Sequence, residues 1–475
     1  MRKSRGHSRD RRLSTGIAPL DTILRGGVPS YAVVIVAGAP GTGKTTLAQQ
    51  ILFANARAGH KGVYLATVSE SPMKAARYQS NFSFFDPAQF GENVIFMDIG
   101  QTIRKEGLTP ALDTIADTLR EIQPELVVVD SFKAIHDLAP SPQEMRTFVY
   151  DLAIDLSTMR ATSLLVGEYT EDDIARMPEF AVADGIIHLY TEVRNDQLQR
   201  YLRVLKMRGV DHLTGAFNFT LKPSGLEIYT LVDEKVHPDV VRGEPIPSGI
   251  PQFDDLLRGG IRRGTPVLLS GAAGTGKSTF ALQYLYKGAT EYGEPGVYFS
   301  YEETPDQISA NAEHFGWDLA PLLASGRLRI EHTPLPEVNT SEQTLRIRDI
   351  VRESGARRVV VDSLSMLLHR VEQPDIIRQI IYQLCTVLRN AGATTLLISD
   401  PPANSTALSR YGVEESIIDG AVILRIVPGG EQRTRQRTLE IYKMRGVAHA
   451  SGEHTMKITS RGIALYPRIE ELVRS

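Results

Sequence analysis

One phosphate-binding signature occurs twice in this chain. Gly38-Ala39-Pro40-Gly41-Thr42-Gly43-Lys44-Thr45 recurs as Gly271-Ala272-Ala273-Gly274-Thr275-Gly276-Lys277-Ser278. Both fit the pattern G-x-x-x-x-G-K-[ST]. Phosphates held this way need many backbone N–H groups converging at a helix start. The glycines let the chain curl close without a Cβ in the way. A strand must therefore precede each loop and a helix must follow it. The copies stand about half of the 475-residue chain apart, so two α/β domains are expected in tandem, each with its own nucleotide site.

The repetition extends beyond the loops. Ser14-Thr15-Gly16-Ile17 matches Pro247-Ser248-Gly249-Ile250, and Leu24-Arg25-Gly26-Gly27 matches Leu257-Arg258-Gly259-Gly260. Gly62-Val63-Tyr64 matches Gly296-Val297-Tyr298. Val128-Val129-Asp130-Ser131 matches Val360-Val361-Asp362-Ser363, and Lys206-Met207-Arg208-Gly209-Val210 matches Lys443-Met444-Arg445-Gly446-Val447. Order and spacing are kept, with a few residues gained late in the second half. This is duplication of one domain of about 230 residues. The expected divisions are a basic, disordered tail over 1–12, a first domain over 13–235 and a second over 236–475. The stretch Asp233–Pro247, rich in proline and charge, reads as the linker.

Composition narrows the class. Hydrophobic residues make up 42% and charged residues 23%, as in ordinary globular chains. The net charge of −3 gives no global field for nucleic acid or membrane. No apolar run approaches the roughly 18–20 residues that span a bilayer. The first residues are basic rather than apolar, so no secretory leader is expected. Cys385 is the only cysteine, which excludes an intramolecular disulfide and fits a reducing, cytoplasmic compartment. Arg2, Lys3, Arg5, Arg9, Arg11 and Arg12 against Asp10 make the N-terminus basic. It is a solvated end or an arm for nucleic acid or a partner.

The coarse pattern is strand–loop–helix, repeated. Ala32–Ala37 is an apolar run entering the first loop, and Thr45–Ala58 reads as the helix leaving it. Gly62–Val68, Leu126–Val129 and Thr162–Val166 read as further strands. Val267–Ser270, Gly296–Tyr301, Val359–Val361 and Thr394–Ile398 are their counterparts. Continuous Val/Ile/Leu runs between helices imply a mostly parallel sheet covered on both faces. Gly185–Tyr190 and Arg200–Met207 read as antiparallel strands that end the domain.

The site chemistry follows from the loops. Gly38, Gly41, Thr42, Gly43, Lys44, Thr45 and Thr46 are nucleotide-binding candidates, as are Gly271, Gly274, Thr275, Gly276, Lys277, Ser278 and Thr279. Lys44 and Lys277 would bridge the β- and γ-phosphates of ATP. The Thr45 and Ser278 hydroxyls would face Mg²⁺. Asp130 and Asp362 end apolar strands, where a carboxylate holds Mg²⁺ through water. Tyr301-Glu302-Glu303-Thr304-Pro305 in the second half faces Val68-Ser69-Glu70-Ser71-Pro72 in the first. A carboxylate at this strand end orients the attacking water. Glu302, Glu303 and Glu70 are thus catalytic candidates, and Ser69 leaves the first half one carboxylate short.

On these motifs the chain resembles the KaiC family, double-domain RecA-like ATPases of circadian clocks, from Ser14 to about Tyr466. The resemblance implies two RecA-like P-loop domains, ATP bound between subunits in stacked rings of six, and Glu302 as the catalytic glutamate. It also implies that Lys206, Arg208 and His212, and Lys443, Arg445 and His449, reach the ATP of a neighbouring subunit. Ser416 aligns with one of two acceptors that the family phosphorylates. Glu415 stands at the other, and Arg410-Tyr411-Gly412-Val413-Glu414-Glu415 resembles the family's unphosphorylated domain. Family clock proteins bind a stimulatory partner through a long C-terminal tail, whereas this sequence stops soon after Tyr466, so a full oscillator is not expected. The reading is a regulatory or signalling ring ATPase, hexameric as the resemblance implies, that hydrolyses Mg-ATP mainly in its second domain. Protein partners are expected and left unidentified. Three alternatives stay open: a Ser/Thr autokinase acting on Ser416, an ATP-gated assembly scaffold, and a RecA-like DNA-binding ATPase. The near-neutral charge weighs against the last.

Overall fold

The computed structural model describes residues 12–67, 80–194, 197–230, 243–402, 405–429 and 434–467. The basic stretch 1–11 and most of the expected linker, 231–242, lie outside the described residues. The chain divides into two compact units, Met1–Thr230 and Leu231–Ser475. Each is built on one nine-stranded mixed sheet.

The first unit runs β1 (Val33–Gly38), α1 (Lys44–Arg57), β2 (Gly62–Ala66), β3 (Val94–Asp98), β4 (Leu126–Asp130) and β5 (Thr162–Glu168). It closes with β6 (Gly185–Arg194), β7 (Gln197–Met207), β8 (Phe217–Lys222) and β9 (Gly225–Ile228). The strand order is β9-β8-β7-β6-β1-β5-β4-β2-β3. The six strands from β6 to β3 are parallel, and β7, β8 and β9 join antiparallel. The second unit repeats this plan with β10 (Pro266–Gly271), α2 (Lys277–Glu291), β11 (Gly296–Ser300), α3 (Pro305–Glu313), β12 (Leu328–His332), β13 (Arg358–Asp362) and β14 (Thr394–Ser399). Strands β15 (Gly420–Gly429), β16 (Thr434–Met444), β17 (Glu453–Thr459) and β18 (Gly462–Tyr466) complete it, in the order β12-β11-β13-β14-β10-β15-β16-β17-β18. Two tandem RecA-like domains, as the sequence leads one to expect, account for both sheets.

The unbroken apolar runs have a physical reason. Successive side chains point to opposite faces of a strand. Val34 and Val36 of β1 enter one core, while Val33, Ile35 and Ala37 enter the other. Leu126 and Val128 of β4 divide from Val127 and Val129 in the same way. In the second unit Val267 and Leu269 part from Leu268. Both faces are covered, so both must be apolar. Each fully buried Val, Leu or Ile contributes about 1.5–3 kcal/mol. Helix α1 lays Leu47, Ile51, Leu52 and Ala56 on one of these cores. It stops at Ala58, after which Gly59 takes a φ of +88°, a left-handed step that cannot extend the helix.

Strands toward the margins of the sheets escaped the sequence reading. The edge strands β3 and β12 show only their first residue fully buried, and β8, next to an edge, only one of six. Half-covered strands need no continuous apolar run, so their pattern is weak. β17, with two of seven residues buried, is missed for the same reason.

A guanidinium is fully buried in the second unit. Arg358, the first residue of β13, is 0% exposed. Its Nε pairs with Glu294 at 2.7 Å, its Nη1 donates to the Tyr284 carbonyl at 2.9 Å and its Nη2 to the Pro247 carbonyl at 2.7 Å. Glu294 is also bonded by Arg263 at 2.6 Å. The first unit has Leu126 at the matching place, where Leu126 and Arg358 donate backbone bonds to the equivalent carbonyls of Lys61 and Pro295.

Candidate functional site

Both phosphate loops join the central strand of a sheet to the helix that follows it. β1 ends at Gly38 and α1 begins at Lys44, while β10 ends at Gly271 and α2 begins at Lys277. The turn into each helix is made by a left-handed glycine, Gly43 at φ +99° and Gly276 at +105°. A side chain there would be strained, and at Gly276 its Cβ would meet Ile458 at 3.0 Å. Thr42 and Thr275 are fully buried and tie the loops with hydroxyl bonds of 2.8 Å to the Ala39 and Ala272 carbonyls. Thr46 and Thr279 lie in the first turns of α1 and α2.

The loop lysines are nearly enclosed, at 7% exposure for Lys44 and 8% for Lys277. Lys44 Nζ donates to the Ala39 carbonyl at 2.8 Å. Burial pushes its pKa down, opposed by the carboxylates of Glu168 and Asp130. Lys277 donates to the Gly271 carbonyl at 2.7 Å and pairs with Asp400 Oδ1 at 2.7 Å. Glu168 and Asp400 are equivalent residues that sequence reasoning missed. Glu168 closes β5 directly opposite Gly38 in the ladder, and Asp400 follows β14 beside Gly271. The signal was an acidic residue ending the same apolar run in both halves.

The metal candidates come together in each half. Thr45 Oγ1 donates to Asp130 Oδ2 at 2.7 Å, and Ser278 Oγ donates to Asp362 Oδ2 at 2.9 Å. A tyrosine from the neighbouring strand holds the same oxygen: Tyr64 bonds Asp130 at 2.7 Å and Tyr298 bonds Asp362. These tyrosines belong to the repeated Gly-Val-Tyr, which the sequence offered only as a mark of duplication. Burial raises the Asp362 pKa, against the bonds from Tyr298 and Ser278.

Glu302 and Glu303 lie between β11 and α3, whose first turn is closed by Thr304 and Gln307 in a reciprocal cap. Burial raises the Glu302 pKa first, then the charges of Asp362, Asp400 and Glu303, with Lys277 opposing. Burial and Asp362 likewise raise Glu303, which accepts a bond from Asn311 at 3.3 Å. Glu302 thus senses the loop lysine and both acids around it. Glu303 instead lines a cavity of 500 Å³ that joins Lys277 and Ser278 to Leu282, Ile308, Phe315 and Ile458. Glu70 and Ser69 lie outside the described residues.

The cations expected to act between subunits bond within their own chain. Lys206 Nζ donates to the Ala183 carbonyl at 2.6 Å, and Arg208 pairs with Asp184 at 3.4 Å. Lys443 donates to the Glu415 carbonyl, and Arg445 pairs with Asp419 at 3.4 Å and donates to the Ser416 carbonyl at 2.9 Å. Burial lowers the pKa of both lysines, helped by the adjacent arginine. His212 and His449 sit on the segments that follow, and His449 Nδ1 lies 3.1 Å from the Ala450 carbonyl. Ser416 is exposed on a short helix, its hydroxyl donating to the Val413 carbonyl at 2.7 Å.

A protein-family model for the KaiC ATPase matches the chain twice, over residues 13–233 and 246–470. Among curated proteins, the circadian clock oscillator protein KaiC of Synechococcus elongatus is 40% identical over 223 residues, 45% of this chain and 43% of the relative. KaiC of Parathermosynechococcus lividus is 38% identical over 228 residues, 46% of this chain and 42% of the relative. KaiC of Acaryochloris marina is 36% identical over 255 residues, 52% and 48% respectively. The matched stretch spans just under half the length of each of these relatives.

Proposed function

The chain belongs to the KaiC ATPase family, and from that premise we propose that it binds Mg-ATP at both loops, hydrolyses it mainly in the second domain, and assembles as a ring of six. The observation that carries the reading is the convergence of Lys277, Ser278, Asp362 and Glu302 at the carboxyl ends of β10, β11 and β13. Ligands of open α/β sheets bind at this edge. Ser278 and Asp362, already in contact, would hold Mg²⁺, which when bound neutralises charge on the β- and γ-phosphates. Lys277 would exchange Asp400 for phosphate oxygens. Glu302 would orient a water in line with the γ-phosphorus and accept its proton. The new O–P bond forms as the bond to the β,γ-bridging oxygen breaks, and ADP leaves. The relatives are named as circadian oscillators, which supports a regulatory role for this turnover.

Asp400 makes one test. It repels the triphosphate and occupies Lys277, so Asp400→Asn is expected to tighten binding. One charge across a partly solvated site contributes about 1 kcal/mol, or about fivefold in affinity. Titration with a fluorescent ATP analogue measures it, and weaker binding by the variant would contradict the exchange.

Assembly is the second test. Lys206, Arg208, Lys443 and Arg445 would complete sites on a neighbour, and head-to-tail contacts close into rings or run on as filaments. Native mass should move to a hexamer on adding Mg-ATP. A chain that stays monomeric at saturating nucleotide would remove both the ring and the role of these cations.

A further inference from the structure

The first domain carries a cavity of 380 Å³ on the side of its sheet away from the phosphate loop, where β1 and β5 begin. Arg12, His60, Glu125 and Arg160 stand in its wall with Tyr31 and Asn55. The second domain shows what this space is in the duplicated fold. There the Arg358 side chain fills it, beside Gly288, where an added Cβ would meet Arg358 Cδ at 2.3 Å. In the first domain Leu126 replaces the arginine and Asn55 replaces the glycine. Asn55 Nδ2 donates to the Ser14 and Ile51 carbonyls at 2.9 Å each. These are the equivalents of the Pro247 and Tyr284 carbonyls that Arg358 satisfies. The shorter amide does the guanidinium's hydrogen bonding and leaves the volume empty.

The charge of the wall has changed with it. The second domain surrounds its guanidinium with Glu294 and the rings of Tyr284 and Tyr292, 4.6 and 5.2 Å away. The first has His60 in place of Glu294, and the nearby Glu125 is taken by His60 at 2.7 Å. Arg12 stands where the second domain has Pro245, and Arg160 where it has Gly392. Arg160 holds a φ of +57° and Gly392 one of +71°, while Tyr31 at +69° matches Gly264 at +76°. Tyr31 and Gly264 each donate their backbone N–H to the equivalent Thr162 and Thr394 hydroxyls at 3.0 Å, which fixes the correspondence. Two large side chains are thus carried on left-handed backbone, the conformation glycine adopts without cost, and both line the cavity.

We propose that this cavity is a binding site for a small phosphate-bearing molecule, held between the Arg12 and Arg160 guanidiniums and separate from the ATP loops. The volume falls in the range of small-ligand sites, about 300–1,000 Å³. Planar guanidiniums match phosphate oxygens two at a time.

Calorimetric titration of the intact chain with glucose 6-phosphate tests it, beside inorganic phosphate as the minimal anion. Any binding at the phosphate loops is common to parent and variants. Two variants probe the cavity. Arg160→Gly installs the residue the second domain has there, so the backbone is suited to it. Leu126→Arg combined with Asn55→Gly and His60→Glu refills the space as the second domain does. The expected result is one site per chain beyond the loops, weakened at least tenfold by the first variant and lost in the second. Titrations identical in all three proteins would overturn the proposal, and so would a parent chain with no site beyond the loops. Because the readout is binding away from the loops, it stands or falls independently of ATP hydrolysis.

Discussion

Glu302→Gln is expected to lower steady-state ATP turnover by about 10²–10⁴-fold, the range a positioned general base supplies. Glutamine keeps the size and hydrogen-bonding reach and removes only the basicity, so nucleotide binding should survive. Glu70→Gln should change turnover little, since Ser69 stands in the first half where the second has Glu302. Equal losses from the two changes would refute the division of labour between domains. The pH profile supplies a second readout. Burial and the charges of Asp362, Asp400 and Glu303 raise the Glu302 pKa in the nucleotide-free protein. The base must be ionised, so kcat/KM, which reports free enzyme, should fall as pH drops through that raised value, above the usual glutamate range. Removing the Asp400 charge favours the Glu302 carboxylate, so Asp400→Asn should move this acidic limb to lower pH. A limb that does not move would show that another group sets it.

The legible parts of this site were those written in contiguous residues. Each phosphate loop is a single run between an apolar strand and a helix, and its chemistry follows from eight neighbours. Asp130 and Asp362 were legible because a lone acid after Val-Val-Val marks a strand end. Glu168 and Asp400 carry the same mark, yet their relation to Lys44 and Lys277 passes through strand pairing more than 120 residues distant in the chain. No spacing rule reports such a contact. The carbonyl partners of Lys206 and Lys443 are equally invisible beforehand, because they depend on where the last parallel strand begins. Arg358 is the extreme case. Arg357-Arg358 looks like a solvated charged pair, and only the assembled fold shows one member enclosed beneath Gly288 with Glu294 brought from another element.

That enclosure sets a large stability effect. Arg358→Ala is expected to destabilise the second domain by about 3–5 kcal/mol, the cost of breaking a buried ion pair by deleting one partner. The Pro247 and Tyr284 carbonyls lose their donor, and Glu294 keeps only Arg263. Against a total stability of about 5–15 kcal/mol this is roughly a fifth or more of what a domain has. For a domain of this size each kcal/mol moves Tm by about 2–4 °C, so one calorimetric transition should fall by roughly 6–20 °C while the other stays. The first domain indicates how to separate charge loss from lost hydrogen bonds. Arg358→Leu with Gly288→Asn copies the arrangement of Leu126 and Asn55, giving both carbonyls an amide donor again. It should recover part of the loss, and what remains measures the Glu294 pairing and the packing of the guanidinium. An Arg358→Ala protein whose two transitions match the parent would mean that this buried cluster contributes nothing net, its desolvation cost cancelling its bonds.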